Sequence, residues 1–122
     1  MSKTQHTSTL PEELDRASEI NLTVTGRKSG RKSTRPVWFV FEHGKVYLLP
    51  VSGSHTQWYQ NVLANPSLEI EAHGAKGTFR AAPTTDAQGV KSVVEKFREK
   101  YGAGDVKKYY SKFDAAVLAE PA

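Results

Sequence analysis

The stretch RPVWFVFEHGKVYLLPV, residues 35–51, constrains the fold more than any other part of this chain. It contains two runs of residues that favour β-strands, RPVWFVFE and KVYLLPV, and only His43 and Gly44 separate them. Two strand-forming runs joined by a two-residue turn that contains glycine are typical of a β-hairpin. The stretch therefore predicts an antiparallel pair of strands in the middle of the chain.

Shorter patterns on both sides of this hairpin extend the same architecture. A first strand is predicted at INLTVT (20–25) and a last strand at FDAAVLAE (113–120). A second hairpin is predicted between them, with strands at LEIEAH (68–73) and TFRAAP (78–83) and a turn at GAKG (74–77). Roughly six antiparallel strands joined by hairpins favour a mainly β fold, a barrel with flanking helices, over a parallel βαβ sheet.

Helical patterns fill the remaining segments. TLPEELDRASEI predicts a short helix that begins after Thr9, with Glu12 as its capping-box partner. SGSHTQWYQNVLANP (52–66) predicts one short helix, and DVKKYYSK (105–112) a further helical turn. TTDAQGVKSVVEKFREKYG predicts an amphipathic helix that begins near Thr85. Its predicted buried stripe consists of Val90, Val93, Val94 and Phe97.

Length and composition bound the organisation and the compartment. The 122 residues suit one domain, so we expect a flexible polar tail at residues 1–8 and a single domain over residues 9–122. The sequence has no cysteine, which excludes disulfides and thiolate metal sites and suits the reducing cytoplasm. We find no apolar run of signal-peptide or membrane-spanning length, and expect neither export nor a membrane span.

Several common kinds of catalytic site have no matching pattern. The four histidines are scattered and form no pair with metal-ligand spacing, so we expect no metal site. Ser52 and Ser54 flank Gly53, but their surroundings do not spell the GxSxG turn of serine hydrolases. TGRKSGRK lacks the spacing of a phosphate-binding P-loop and precedes a strand where a P-loop precedes a helix.

The segment TGRKSGRKSTRP, residues 25–36, is the basic loop of this chain, with five cationic side chains. Gly26 and Gly30 allow the backbone to curl, so that Arg27, Lys28 and Ser29 can converge on a phosphate or carboxylate. A net charge of +4 also favours anionic partners. An equally good interpretation is a solvated turn that keeps the hairpin soluble.

Aromatic residues suggest a second part of a binding site. Trp58 stands in the first turn of a predicted helix, directly after a loop of small residues, and this arrangement suits a flat ring. Plain packing of the helix on the sheet explains Trp58 equally well. Tyr101, Tyr109 and Tyr110 could form one wall of a pocket, although packing is again the simpler interpretation.

From about Leu22 to Gly74 the sequence resembles the deazaflavin-dependent nitroreductase family, the flavin/deazaflavin oxidoreductases of split β-barrel type. The matching motifs are TGRKSG…R…P, the strand-turn-strand with G-x-x-Y, a serine after the third strand, and WY-x-N-x-x-A-N-P, in the family's order. The resemblance implies an FMN-binding-like split β-barrel, often dimeric, that binds the reduced deazaflavin coenzyme F(420); FMN is the alternative cofactor.

The resemblance also implies roles for particular residues. The phosphate and oligoglutamate tail of the coenzyme would bind to Arg27, Lys28 and Ser29, with Arg31, Lys32 and Arg35 extending the cationic track. Ser52, Gly53 and Trp58 would lie along the deazaflavin ring. The implied reaction is hydride transfer to a quinone, enone or nitro compound, with Ser52 or Tyr110 giving a proton or stabilising an oxyanion.

Other functions stay open because the family's Gly-Gly pair is absent and only five residues separate Ser52 from Trp58. They are a non-catalytic cofactor- or lipid-binding protein and an FMN-dependent enzyme. Aromatic residues do not interleave with the basic loop, so we expect no nucleic-acid partner. The expected partners are a small-molecule acceptor and a second copy of the chain, and a quinone-like substrate would allow peripheral membrane contact.

Overall fold

A computed structural model describes residues 9–122, which form one antiparallel β-sheet with four helices around it. The strands are β1 (Ile20–Thr25), β2 (Lys32–Val37), β3 (Val40–Glu42), β4 (Lys45–Leu48), β5 (Ser67–Ala72), β6 (Ala75–Thr84) and β7 (Ala116–Pro121). The helices are α1 (Leu10–Arg16), α2 (Gln57–Ala64), α3 (Ala87–Tyr101) and α4 (Ala103–Tyr109), and one 3₁₀ turn (Gly53–His55) precedes α2. The tail predicted for residues 1–8 lies outside the described residues.

The strand order in the sheet is β2-β1-β5-β6-β7-β4-β3, and every neighbouring pair is antiparallel. The two edge strands, β2 and β3, are consecutive in the chain, with only Trp38 and Phe39 between them. The sheet therefore curls until its two edges come together at this pair, where the barrel is split. This arrangement confirms the predicted split β-barrel with flanking helices, with seven strands in place of about six.

The prediction of one strand over RPVWFVFE was wrong, because the chain there leaves one edge of the sheet and joins the other. β2 pairs with β1, whereas β3 pairs with β4. Between them, the backbone N–H of Phe39 donates to the hydroxyl of Tyr101 at 3.0 Å. The same hydroxyl lies 2.8 Å from the carbonyl oxygens of Phe39 and Ser18. A tyrosine of α3 thus satisfies the backbone where the strand breaks.

Two-residue turns close both hairpins. His43 and Gly44 have positive φ angles of 54° and 75°, as a type I′ turn requires, and this confirms the predicted His-Gly turn. The second hairpin turns at His73 and Gly74, with φ angles of 52° and 90°. The predicted GAKG turn was therefore placed too late, because Ala72 already pairs with Ala75 and β6 begins there.

The helices begin where capping side chains are available. Thr9 and Glu12 form the predicted capping box of α1. The side chain of Asp86 accepts from the N–H of Gly89 at 2.9 Å, so α3 begins at Ala87 and its first residue is later than predicted. The segment predicted as one helix over residues 52–66 divides into the 3₁₀ turn and α2.

Two groups of buried side chains hold these elements together. The first lies within the curled sheet and includes Trp58, Tyr59 and Val62 of α2. The second lies between the sheet and helices α3 and α4, and includes the predicted stripe of α3. None of the helices within residues 9–122 is long and apolar enough to cross a membrane.

Candidate functional site

A cleft of about 370 Å³ opens between the end of β2, the segment after β4, the first turn of α2 and the C-terminal end of α4. Its volume falls in the range of about 300–1,000 Å³ that is typical of small-molecule sites. The residues that line this cleft are Glu19, Pro36, Val37, Trp38, Leu49, Val51, Trp58, Tyr109 and Tyr110. Apolar and aromatic side chains dominate, which suits a flat organic ring.

Interlocked aromatic rings form one wall of the cleft. Trp38 stacks on Tyr101 with ring centroids 4.2 Å apart and planes within 7°. The ring of Tyr109 meets Trp38 edge to face at 5.5 Å, and the ring of Tyr110 lies 6.1 Å away. These contacts restrict the rotamer of Trp38, so this wall is formed before any ligand arrives.

Tyr110 is the more deeply buried of the two tyrosines that bring a phenol to the cleft. Tyr110 is only 6% exposed, and its hydroxyl makes no hydrogen bond to any residue within 9–122. Burial raises the pKa of Tyr110 above its ordinary value, so the phenol stays protonated at neutral pH. The structure therefore places Tyr110 and Trp58, both predicted site residues, in the same cleft.

Ser52 and Gly53 lie beside the cleft and outside its lining. Ser52 is exposed, and its backbone N–H donates to the Thr56 hydroxyl at 2.8 Å. Gly53 is buried with a φ of 56°, and a Cβ there would come within 2.1 Å of a carboxylate oxygen of Asp114. A bridge between Ser52 and Lys112 sets this loop next to the segment that follows Tyr110.

A hydrogen-bonded clamp holds the loop before α2, and sequence reasoning missed it. The Ser54 backbone N–H and hydroxyl donate to the two Asp114 carboxylate oxygens at 2.8 and 2.6 Å. These bonds are the main cause that lowers the pKa of Asp114. The side chain of Gln60 reaches back to the Ser54 carbonyl at 2.5 Å. No local pattern announces a contact between residues so far apart in the sequence.

Arg27 joins the basic loop to α2. Its backbone N–H and its guanidinium donate to Oδ1 of Asn61 at 3.1 and 2.7 Å, and the guanidinium also donates to Oε1 of Gln57 at 2.9 Å. Gln57 precedes Trp58 in the first turn of α2. The start of the basic loop is thereby fixed next to the cleft, and Asn61 supports it.

The other cations of the basic loop have no partner in the part of the chain that the structure describes. Within residues 9–122, the side chains of Lys28, Arg31, Lys32 and Arg35 are exposed and form no ion pair or hydrogen bond. The turn itself is preformed. The Gly26 N–H donates to the Arg31 carbonyl at 2.7 Å, and the Ser29 hydroxyl accepts from the Arg31 N–H at 3.1 Å.

The cationic track and the cleft are continuous along β2. Arg35 and Val37 are two residues apart in this strand and therefore share a face, and Val37 lines the cleft. Their partners in β1, Leu22 and Ile20, are buried, whereas Arg35 is exposed. Lys28 and Ser29 stand at the tip of the loop, beyond this strand.

Trp38 and Glu19 are two of the cleft-lining residues that the sequence did not predict. Trp38 belongs to the aromatic wall, and Glu19 supplies the one acidic side chain of the lining. Trp38 lies within a run of strand-forming residues, where an apolar aromatic residue carries no separate signal. Glu19 ends the segment between α1 and β1, and the position of that segment depends on the curl of the sheet.

A family model described as F(420)H(2)-dependent quinone reductase matches residues 2–117 of the chain. Solved structures with a similar fold include an F(420)H(2)-dependent reductase, FDR-A, with 23% identity and a TM-score of 0.67, over 84% of this chain and 94% of that chain. Another is HutZ, the haem storage protein from Vibrio cholerae, with 16% identity, a TM-score of 0.69, and coverage of 93% and 87%. At these identities the structural likeness concerns the fold.

Proposed function

Because the chain belongs to the F(420)H(2)-dependent quinone reductase family, we propose that it transfers a hydride from the reduced deazaflavin coenzyme F(420) to a quinone, enone or nitro compound. The chain is an oxidoreductase, and coenzyme F(420) is its cofactor. The observation that carries the choice of acceptor is the preformed aromatic wall of the cleft around Trp38, which suits a flat electrophile.

The residues of the site fit this coenzyme. Its tail carries phosphate and carboxylate groups, and the basic loop offers four exposed cations without a protein partner within residues 9–122. A cluster of unpaired cations is favourable when an anion neutralises it. We assign the tail to Lys28, Ser29 and Arg35, with Arg27 positioning the loop against α2 through Gln57 and Asn61.

The cleft provides the environment for the reaction. When bound, the reduced coenzyme supplies the hydride, and the protein orients the reactants and controls the proton. Trp58 forms one side of the ring site, and the neutral phenol of Tyr110 donates a proton to the reduced oxygen of the acceptor. Ser52, at the rim, is the second candidate for this proton, and Gly53 allows the tight packing of the rim loop.

The proposed assembly is a homodimer in the cytoplasm. β2 is an edge strand, so we place the contact with a second copy along its backbone, and the Arg35 side chain stays available to the coenzyme tail. Val51, Tyr109 and Phe113 are exposed apolar residues near the cleft, and they suit peripheral contact with a membrane that dissolves a quinone-like acceptor. Native mass measurements test the homodimer, and vesicle flotation tests the contact with a membrane.

The deciding experiment mixes the protein with reduced coenzyme F(420) under anaerobic conditions and adds a quinone, an enone or a nitroaromatic. We expect the visible absorption of the oxidised coenzyme to return only when protein and acceptor are both present. Deuterium at C5 of the reduced coenzyme should slow this reaction. Binding of the coenzyme by calorimetry without oxidation by any acceptor would instead support a non-catalytic binding protein, and reaction with reduced FMN alone would support the FMN alternative.

A further inference from the structure

Glu19 is a charged residue in an otherwise apolar cleft. It lies between α1 and β1, is exposed, and lines the cleft with Pro36, Val37 and Trp38. Its carboxylate forms no hydrogen bond or ion pair with any residue within 9–122. Because no hydrogen bond or ion pair in the described part of the chain engages this carboxylate, it is available to a molecule in the cleft.

The charge of Glu19 acts on the aromatic wall. Burial is the main cause that raises the pKa of Tyr101 to about 12, and the negative charge of Glu19 contributes in the same direction. Tyr101 is the residue on which Trp38 stacks. Glu19 is therefore close enough to influence groups in and behind this wall.

An aromatic wall next to a carboxylate is a favourable environment for an organic cation. The faces of tryptophan and tyrosine rings attract positive charge, and a nearby carboxylate adds to this attraction. The cations of the basic loop lie on the other side, along β2 and beyond it. If the anionic tail of the coenzyme occupies them, as the proposed function requires, Glu19 remains as the one charged side chain that residues 9–122 contribute to the lining of the cleft.

We propose that Glu19, together with Trp38, makes the cleft discriminate between acceptors by their charge. Flat aromatic acceptors with a positive charge bind better than neutral ones, and acceptors with a sulfonate or carboxylate group bind worst. Glu19 is thus a specificity-determining residue. The statement about acceptor turnover depends on the proposed function, whereas the statement about acceptor binding does not.

Intrinsic fluorescence allows binding to be measured without turnover. The chain has two tryptophans, Trp38 and Trp58, and both line the cleft. The probes are three naphthoquinones with the same ring, which carry a trimethylammonium, a methoxy or a sulfonate group. Quenching, corrected for absorption by the quinone, gives a Kd for each probe. Comparing the ratio of the cation and anion Kd values between variants cancels the effect of the basic loop, which every variant keeps.

Glu19→Gln should weaken binding of the cationic probe relative to the anionic probe, so that the ratio of their Kd values changes about three- to tenfold. This size is expected when one charge is removed from a partly screened site. Glu99→Gln is the matched control, because Glu99 is exposed on α3, outside the cleft lining, and its loss changes the net charge equally. An unchanged ratio in Glu19→Gln, or an equal shift in Glu99→Gln, would overturn the proposal.

Turnover with reduced coenzyme F(420) separates this proposal from the proposed function. If the protein reduces neither the probes nor an enone or a nitroaromatic, but binding depends on charge through Glu19, the proposed function fails and the inference stands. If the protein reduces the probes, and the ratio of the KM values for the cationic and anionic probes is the same in the wild type and in Glu19→Gln, the inference fails and the proposed function stands. A loss of coenzyme affinity in Glu19→Gln beyond that of Glu99→Gln would also contradict it, because Glu19 would then act on the coenzyme.

Discussion

At the level of single residues, Tyr110 combines a largely buried ring with a hydroxyl that is not fully buried. It packs against Phe97 and Phe113, with ring centroids 5.9 and 6.5 Å away. Its hydroxyl nevertheless has no hydrogen-bond partner within residues 9–122. No fully buried side-chain oxygen within residues 9–122 lacks a hydrogen-bond partner, so the Tyr110 hydroxyl is accessible to a molecule in the cleft that Tyr110 lines, whereas Ser52 lies outside that lining. This is the physical reason for preferring Tyr110 over Ser52 as the proton donor.

Replacing Tyr110 with Phe tests this assignment. Because phenylalanine keeps the packing, we expect the melting temperature and the coenzyme Kd to stay nearly unchanged, while kcat for a quinone falls about 100-fold or more. The raised pKa keeps the phenol protonated, so kcat of the wild type should not decline with pH below about 10. Steady-state kinetics of Tyr110→Phe and Ser52→Ala, measured side by side, decide between the donors. A full loss in Ser52→Ala with normal kcat in Tyr110→Phe would assign the proton to Ser52.

The sequence identified some of the cleft residues and missed others for a consistent reason. Trp58 and Tyr110 stand in short motifs, where neighbouring residues mark a helix start and a tyrosine-rich segment. Trp38 and Glu19 become part of the cleft only because distant elements meet, through contacts such as the stack of Trp38 on Tyr101. Such contacts depend on tertiary structure, and no local periodicity encodes them.

At the level of elements, β1 and β5 were predicted well, whereas β2 and β3 were predicted as one strand. β1 alternates buried and more exposed residues, which is the pattern that identified it. β2 begins at Lys32, three residues before the predicted start, and its residues 32–36 are all exposed. A strand that buries neither face shows no apolar alternation. Its position follows from its register with β1, where Lys32 pairs with Thr25.

The loop between β4 and α2 depends on the clamp between Ser54 and Asp114, which predicts a pH-dependent stability. Hydrogen bonds from Ser54 lower the pKa of Asp114, so the folded state favours the carboxylate. The clamp therefore stabilises the fold above the unfolded pKa of about 3.9, and this contribution disappears as pH falls through the lower folded value. We expect Asp114→Asn to lower the free energy of unfolding by about 1 kcal/mol at neutral pH, because the clamp is partly exposed.

Chemical denaturation of the wild type and Asp114→Asn at neutral and strongly acidic pH measures this difference. The two proteins should differ at neutral pH and converge in acid. Glu120→Gln is a suitable control, because the Glu120 side chain is exposed and forms no ion pair or hydrogen bond within the described part of the chain. A difference that stays constant with pH would mean that the Asp114 charge does not contribute.

At the level of the whole molecule, the cleft exists because the barrel is split. β2 and β3 meet at Trp38 and Phe39, and Tyr101 of α3 satisfies the Phe39 backbone there. The aromatic wall, Glu19 and the start of α2 converge at this junction. The junction of β2 and β3 thus provides both the break in the sheet and the site. The strand β2, which carries Arg35, connects this junction to the basic loop.

The distribution of charge over the molecule leads to a prediction about salt. If the unpaired cations of the basic loop hold an anionic tail, Lys28→Ala combined with Arg31→Ala should raise the coenzyme Kd about tenfold or more and reduce its dependence on ionic strength. Lys91→Ala combined with Arg80→Ala removes the same charges from exposed positions on α3 and β6, outside the basic loop and the cleft lining. Calorimetric titrations of both variants at low and high salt separate a local contact from the general effect of net charge. Equal weakening in the two variants would show that the coenzyme senses only the overall field, and the tail would then have to bind elsewhere.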